Sequence, residues 1–421
     1  MPRVSKLLTR TGRHAMGGQQ FGAGTVLVDM TARNRVLHFD SARGLVEVEA
    51  GIQWPELMEF LTATLWGIAQ KQTGADRLSV GGAVSANAHG RGLRWPPFVA
   101  DVEAFTLLDA QGELRRCSRQ ENSELFSLAI GGYGLFGVLT SVTLRLRPRQ
   151  KVERLVEIGC LDDLMPAFEQ RIKDGFLYGD FQFASDPDSP DFLRQGVFSC
   201  YRPLLREAPL TEDLKELSEA DWQSLIYLAH TDKTQVFERY AAFYLETSGQ
   251  VYWADTHQLG VYLDDYHAVL DRRLGSRCPA TEVITEVYVP KPALADFMAE
   301  ARQDSRSTGV DIIYGTIRLI EPDRETFLAW ARQDYACVVF NLHTVHSPAG
   351  LAHSAAAFRR LIDMAIRRDG SYYLTYHRHA TREQVEACYP QFSEFLRRKR
   401  EYDPDETFQS EWYRHYRCIF S

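Results

Sequence analysis

Apolar and polar positions in the first third of the chain follow mainly the two-residue period of β-strands. Leu45–Ala50 alternates apolar and acidic residues, and Val138–Arg147 alternates until Pro148, so both are predicted to be half-buried strands. Trp54–Thr64 has apolar residues at helical spacing that continues to Leu65, and predicts a helix. Further predicted elements are strands at Thr25–Met30, Asp101–Leu108 and Gly112–Cys117, the last two in a hairpin, and a short helix at Glu124–Ala129.

Beyond Pro148 the pattern changes to longer helical segments with fewer glycines and more aromatic residues. Predicted helices lie at Leu161–Lys173, Lys233–Leu245 and Pro292–Gln303, and predicted strands at Thr281–Val289, Ile312–Leu319 and Cys337–Thr344. A last unit is predicted as helix His353–Arg368, strand Tyr372–His377 and helix Thr381–Lys399. Helices that alternate with strands of antiparallel type predict an α+β arrangement, and 421 residues favour two domains.

Charge and cysteine usage exclude several classes of protein. The net charge of -8 argues against a nucleic-acid partner, because polyanion binders need a positive surface. The longest basic run, Arg397–Arg400, is flanked by acidic residues and is interpreted as a solvated helix face. Seven scattered cysteines without a C-x-x-C pair indicate reduced thiols, and no metal site is predicted. Because neither a transmembrane run nor a secretory signal is visible, we expect a cytoplasmic protein of unknown oligomeric state.

Three glycine-rich segments carry most of the chemical information: Gly12–Gln20, Ser79–Gly90 and Ile130–Gly137. Glycine permits positive φ and lacks a Cβ, so successive backbone N–H groups can converge on an anion such as a pyrophosphate. One such loop alone is better explained as a set of tight turns, but three within 130 residues favour a binding site for an anion such as a pyrophosphate. The third contains G-x-G-x-x-G, yet it follows a predicted helix and precedes a strand. That order is the reverse of a Rossmann nicotinamide site.

In this order and at these distances, the three segments resemble the FAD domain of the vanillyl-alcohol-oxidase / p-cresol-methylhydroxylase (PCMH-type) superfamily. The likeness points particularly to its sugar-directed members: aldonolactone oxidases, alditol oxidase and decaprenylphosphoryl-ribose oxidase. It covers about the first 148 and the last 50 residues, and implies a two-domain α+β fold. We expect an FAD-binding domain at 1–149, a separate α+β substrate domain at 150–370, and a segment at 371–421 that returns to the FAD domain. The βαβ unit that usually precedes the first loop is expected to be shortened here.

The resemblance also implies which residues contact FAD. They are Arg13, His14, Ala15, Met16, Gly17, Gly18, Gln19 and Gln20 at the pyrophosphate; Gly74, Ser79, Val80, Gly81 and Gly82 along the phosphates and ribityl chain; Ala86, Asn87, Ala88 and His89 beside the isoalloxazine; Val138 on the adenine side; and Tyr373 at the flavin. Many members bond a histidine covalently to the flavin. His14 lies close to that position, and spacing alone leaves covalent and non-covalent binding open.

The predicted activity is oxidation of a CH-OH group of a sugar, alditol or aldonolactone-like small molecule, by hydride transfer to flavin N5. A base must then take the hydroxyl proton. We expect His377 or His343 as this base and Arg318 for orientation, with Glu286 and Tyr376 as further polar groups. Tyr376 stands where the resemblance to the ribose oxidase would place a catalytic lysine.

Two alternatives to this activity remain. A 2-hydroxy-acid dehydrogenase of the same superfamily would need a cluster of metal-ligating histidines, to which only His343 and His346 come close in sequence. A non-catalytic flavin-binding remnant is suggested by the short N-terminus and by the absent lysine.

Overall fold

A computed structural model describes residues 6–10, 12, 14–260, 263 and 265–421, so the predicted phosphate contact Arg13 lies outside the described residues. The elements up to residue 148 are β1 (Leu7–Arg10), β2 (Val26–Asp29), β3 (Val36–Asp40), β4 (Leu45–Glu49), α1 (Trp54–Thr62), β5 (Trp66–Gly67), α2 (Val80–Ala86), β6 (Val102–Leu108), β7 (Leu114–Ser118), α3 (Ser123–Ala129), β8 (Val138–Arg145) and β9 (Arg147–Pro148). Five of these strands form an antiparallel sheet in the order β3-β4-β8-β6-β7.

The later elements build an eight-stranded sheet. They are β10 (Lys151–Cys160), α4 (Leu161–Lys173), β11 (Tyr178–Phe183), β12 (Gln195–Leu204), α5 (Glu219–Thr231), α6 (Lys233–Glu246), β13 (Val251–Trp253), α7 (His267–Leu274), β14 (Ala280–Pro290), α8 (Leu294–Thr308), β15 (Ile312–Ile320), β16 (Tyr335–Val345), α9 (Pro348–Ile366), β17 (Ser371–Tyr372), α10 (Arg382–Cys388), α11 (Phe392–Tyr402) and α12 (Glu411–Ile419). The strand order is β13-β10-β12-β11-β15-β16-β14-β17, with every pair antiparallel. The mixed helix and sheet content confirms the α+β prediction, whereas the division into two domains stays a prediction.

Helix α1 shows why its segment folds as predicted and where the prediction was wrong. Pro55 occupies the first turn and Gln53 forms a capping box with Glu56, which satisfies backbone N–H groups that have no helical partner. The apolar stripe of Trp54, Leu57, Met58 and Leu61 is buried in the core. The helix ends at Thr62, so Leu65 leaves the stripe and is 60% exposed.

The two faces of the eight-stranded sheet differ in chemistry. One face is apolar: Phe198 on β12 packs against Phe168 of α4 with ring centroids 4.8 Å apart, and helices α8 and α9 contact β14 on the same sheet. Opposite residues of antiparallel strands project to one side, and the pairs Glu282/His343, Ile284/Asn341 and Glu286/Val339/Thr316 therefore share the other side. We call this side the polar face; it carries Glu282, Glu286, Thr316, Arg318, Asn341 and His343.

The C-terminal part corrects three predictions. A strand was predicted over Tyr372–His377, but the structure has a strand at Ser371–Tyr372 only, after which the chain leaves the sheet. The single helix predicted over Thr381–Lys399 is two helices, because Pro390 supplies no backbone N–H and disfavours helical geometry in Tyr389. Lys399, predicted on a solvated face, is fully buried and paired with Asp403.

The first and last parts of the chain are joined by backbone hydrogen bonds. Strand β1 pairs in parallel with β2 and also contacts the segment before α12, where Leu7 N donates to Thr407 O at 2.7 Å and Gln409 N donates to Leu7 O at 2.9 Å. The predicted shortening of a βαβ unit before the first loop stays a prediction. Among the described helices, none is both long enough and apolar enough to cross a membrane.

Candidate active site

A single cavity brings the three glycine segments together with the polar face. Its empty volume, including the open mouth, is about 1430 Å³. The predicted residues that line it are His14, Ala15, Met16, Gln19, Gln20, Gly81, Gly82, Ala86, Ala88, His89, Val138, Glu286, Arg318, Tyr373 and Tyr376.

The first glycine segment is shaped by Gln19. Its Oε1 accepts from Gly17 N at 2.8 Å, and its Nε2 donates to Thr375 O at 3.0 Å, which fixes the loop to the C-terminal part. Gly18 has a φ of 89°, which favours glycine. In the part of the chain that the structure describes, the N–H groups of Met16 and Gln19, which both line the cavity, donate no hydrogen bond. They therefore remain available to an anion, as the predicted pyrophosphate cradle requires.

The second segment forms the short helix α2. Ser79 caps it by accepting from Gly82 N at 3.0 Å. Gly81 packs against the end of β4, where an added Cβ would lie 2.8 Å from Ala50 O. Gly74, Ser79, Val80, Gly17 and Gly18 do not line the cavity themselves and support the residues that do.

Asn87 is the residue of this segment whose surroundings differ most from the prediction. It ends α2 with a φ of 47°, and its Nδ2 donates to Asp323 Oδ2 at 2.8 Å. Its Oδ1 accepts from Val99 N at 3.0 Å. The side chain is therefore buried between loops and does not line the cavity.

The third segment lines the cavity through residues that we did not single out. Tyr133, Gly134 and Gly137 all have positive φ, between 54° and 155°, and all line the wall. Thr375 and Ile284 line it as well. The glycine spacing of the third segment could have indicated Tyr133, Gly134 and Gly137 as lining residues. Nothing in the local sequence distinguishes Thr375 or Ile284.

Glu286 is the centre of a buried hydrogen-bond network at the cavity wall. Its Oε1 lies 2.5 Å from His89 Nε2 and accepts from Tyr288 Oη at 2.5 Å, and its Oε2 accepts from Tyr376 Oη at 3.1 Å. The other ring nitrogen of His89 is 3.1 Å from Gly90 O. Because both nitrogens face acceptors, the doubly protonated imidazolium is the form that satisfies both contacts.

The network fixes the protonation states of its members. Burial alone would raise the pKa of Glu286, but the charge and hydrogen bond of His89, with Tyr288 and Arg318, outweigh it and lower that pKa to about 2. Burial raises the pKa of the Tyr373 and Tyr376 phenols well above the usual value. Near neutral pH the wall therefore presents one carboxylate and neutral phenols that can donate.

Arg318 and Tyr373 occupy two further positions on the wall. Arg318 Nε is buried and has no hydrogen-bond partner among the described residues. A buried polar group without a partner is unfavourable, so this nitrogen is available to a bound molecule. Tyr373 Oη donates to Ala86 O at 2.7 Å and so fastens the end of α2 to the C-terminal part.

The two histidines that we expected as the base do not line the cavity. His377 follows Tyr376 in the turn after β17 and stacks on His379, with ring centroids 5.4 Å apart. Burial and Arg378 lower its pKa. His343 is opposite Glu282, four positions along β14 from Glu286, which corresponds to about 13 Å along the strand.

Comparisons with known proteins agree with this geometry. A sequence family described as an FAD binding domain matches residues 4–118. Decaprenylphosphoryl-beta-D-ribose oxidase from Mycolicibacterium smegmatis is 25% identical over 417 residues, covering 95% of this chain and 86% of the relative. L-gulonolactone oxidase from Bos taurus is 30% identical over 148 residues, and cytokinin dehydrogenase 10 from Oryza sativa subsp. japonica is 34% identical over 158 residues. Each of these two matches covers 35% of this chain and about a third or less of the relative.

The family match, the relatives and the cradle of free N–H groups define the class of the protein. The chain is an FAD-dependent oxidoreductase of the vanillyl-alcohol-oxidase and p-cresol-methylhydroxylase type. Its relatives include two oxidases named for sugar-derived compounds, a ribose derivative and L-gulonolactone.

Proposed function

We propose that this chain oxidises a CH-OH group of a polyhydroxy, sugar-like molecule. The observation that carries the proposal is the cavity shared by the FAD-binding segments and the polar face, which places Glu286, Arg318 and Tyr376 on the wall that a substrate would meet. Arg318 Nε on this wall is buried and unpartnered within the described chain, and Tyr376 Oη beside it donates to Glu286 Oε2. A substrate with several hydroxyl groups can donate and accept at such positions, which an apolar substrate cannot.

The relatives support the sugar-like class. The match that covers nearly the whole chain is to an oxidase named for a ribose derivative. The cytokinin dehydrogenase match covers only 35% of the chain and 28% of that relative. It therefore supports the cofactor rather than the substrate.

The proposed chemistry uses Glu286 as the proton acceptor. FAD, when bound, supplies the acceptor for the hydride that leaves the substrate carbon. Tyr376 receives the proton of the substrate hydroxyl on its phenol oxygen while its own proton passes to Glu286 Oε2. The substrate is left as a carbonyl compound. A carboxylate with a pKa of about 2 is a weak base, but loss of hydride makes the hydroxyl strongly acidic, so proton transfer becomes favourable as the C–H bond breaks.

Other residues act through position in this proposal. His89 holds Glu286 in place and keeps it ionised. Arg318 Nε donates to a substrate oxygen and orients the reacting carbon. The loop Ala15–Gln20 holds the pyrophosphate, and Tyr373 supports the flavin through Ala86. We also propose that the FAD-binding domain spans 1–149 and the substrate domain 150–370, with 371–421 returning to the first.

The experiment is anaerobic mixing of the FAD-loaded protein with a panel of alditols, aldoses, aldonolactones and 2-hydroxy acids, followed by flavin absorbance. We expect bleaching by a polyhydroxy compound, and no bleaching in Glu286→Gln although FAD stays bound. Reduction by 2-hydroxy acids alone would contradict the substrate class, and failure to bind added FAD would support a non-catalytic remnant. Acid precipitation of the same sample tests His14, because only covalently bound flavin precipitates with the protein.

The structure gives no specific support to the 2-hydroxy-acid alternative. That activity would need histidine metal ligands beside the substrate, whereas His343 does not line the cavity and His346 instead lies within hydrogen-bond distance of Thr281 Oγ1.

A further inference from the structure

A second cluster of titratable groups surrounds Glu282, at the other end of the polar face. His230 comes from α5, His267 and the preceding Tyr266 from the start of α7, and His343 from β16. Together with β14, four elements of the chain meet at one carboxylate. None of these residues lines the flavin cavity, and the proposed function uses none of them.

The distances in this cluster match those between ligands of one metal ion. His230 Nε2 lies 3.0 Å and His343 Nδ1 3.4 Å from Glu282 Oε1, and the three ligand groups lie within 4.8 Å of one another. In a tetrahedral site with bonds of about 2.0–2.1 Å, neighbouring ligand atoms are separated by about 3.3 Å. The two distances to Glu282 Oε1 are therefore close to those between ligands in a zinc coordination shell.

The other carboxylate oxygen is held in place separately. Tyr266 Oη donates to Glu282 Oε2 at 2.6 Å, and His267 Nε2 lies 3.0 Å from the same atom. Groups that fix the orientation of a metal ligand in this way tune its affinity for the ion.

The hydrogen bonding of the cluster is incomplete without a further partner. The His230 side chain is only 3% exposed, and its Nε2 has no hydrogen-bond partner of acceptable geometry among the described residues. The other charged pair nearby, Lys233 and Asp311, neutralises itself at 3.0 Å. A cation between the nitrogens and the carboxylate would give His230 Nε2 the partner that it lacks.

We propose that His230 Nε2, Glu282 Oε1 and His343 Nδ1 bind a divalent transition-metal ion of the zinc class, with solvent as the remaining ligand. Imidazole nitrogen and carboxylate oxygen are ligands that Zn²⁺ accepts readily. The ion fastens helix α5 to strands β14 and β16, beside the flavin cavity but separate from it. Its role is to hold the helical cover over the polar face.

The test is Zn²⁺ binding by the full-length, tag-free, FAD-loaded protein after chelator treatment, by competition with a chromophoric chelator. We expect one equivalent of tightly bound Zn²⁺ and a rise in Tm on binding. Glu282→Gln, which keeps the shape of the side chain, and His230→Ala should each weaken binding at least about 100-fold. His346→Ala is the matched control, since His346 follows the same strand but bonds to Thr281 Oγ1 at 2.9 Å; its affinity should equal that of the wild type.

Circular dichroism and flavin content establish that each variant is folded, and His343→Ala replaces His230→Ala if the latter does not fold. Equal affinity of wild type and Glu282→Gln, or no binding by the wild type, overturns the proposal. Neither outcome depends on turnover, so the proposed function can fail or stand independently.

Discussion

Glu282 and Glu286 lie four residues apart on the same face of β14, yet the number and distances of their partners differ. Glu286 is fully enclosed, with one imidazole at 2.5 Å and two phenols that donate to it. Glu282 meets three imidazoles at 3.0–3.4 Å and one phenol. The 2.5 Å contact is a direct hydrogen bond between His89 and Glu286, whereas the longer distances of His230 and His343 from Glu282 are those from which we propose a metal site. The strand supplies the same side chain twice, and partners from distant parts of the chain decide its chemistry.

The largest expected effect distinguishes the two carboxylates by activity. Glu286→Gln removes the proposed proton acceptor, and we expect turnover to fall about 10²–10⁴-fold, the usual range for a lost general base. Bound FAD should be retained. Steady-state rates with the substrate found in the panel measure this change. Glu282→Gln is the control, and a comparable loss of turnover in that variant would remove the distinction.

Replacement of His89 tests the buried pair of His89 and Glu286. His89→Asn leaves Glu286 as a buried charge without its partner, and breaking such a pair costs about 3–5 kcal/mol. Urea unfolding should show that His89→Asn and Glu286→Gln together destabilise the protein by less than the sum of the single variants. Strict additivity would mean that the 2.5 Å contact contributes no coupling energy.

Acid stability offers a third comparison. The folded pKa of Glu286 is about 2, below its ordinary value of 4.5. Its contribution, about 3 kcal/mol by the size of the shift, is therefore present above pH 4.5 and lost as the pH falls toward 2. The free energy of unfolding of Glu286→Gln should decline less steeply over that interval. Parallel curves for variant and wild type would contradict the low pKa.

The smallest expected effect concerns the phenols. Tyr266→Phe removes one hydrogen bond to Glu282, and we expect a loss of about 2 kcal/mol in the free energy of unfolding with turnover unchanged. Tyr376→Phe removes the matching bond to Glu286 and should lower turnover about tenfold or more. Turnover rates and urea unfolding are measured for both variants. Slower turnover by Tyr266→Phe would contradict this prediction.

The sequence predicted those parts of the site that depend on local pattern. The glycine segments and the strands carrying Glu286 and Arg318 could be found because φ requirements and apolar periodicity are local. The pairing of His89 with Glu286, 197 positions apart, depends on tertiary register. So does the meeting of His230, His267 and His343, which no ligand spacing in the sequence indicates.

Tyr376 and His377 are neighbours in the sequence, but only Tyr376 lines the cavity. We expected a strand to run through His377, which would have placed Tyr376 and His377 on opposite faces of the sheet. The strand instead ends at Tyr372, and the following turn directs Tyr376 to the cavity while His377 does not line it. Turn geometry after a strand end depends on what packs against it, here the first glycine loop through Gln19 and Thr375.

The bond from Ala23 N to Glu411 joins residues 388 positions apart, and Gln19 reaches Thr375 in the same region. At about 5–20 residues per second, a ribosome needs roughly 20–80 s to make the intervening chain. The first loop of the cofactor cradle therefore waits for its last supports until residue 411 has been synthesised. During that interval it is open on one side, which gives the dinucleotide a route of entry and gives proteases a target, so flavin supply during translation should influence the yield of intact protein.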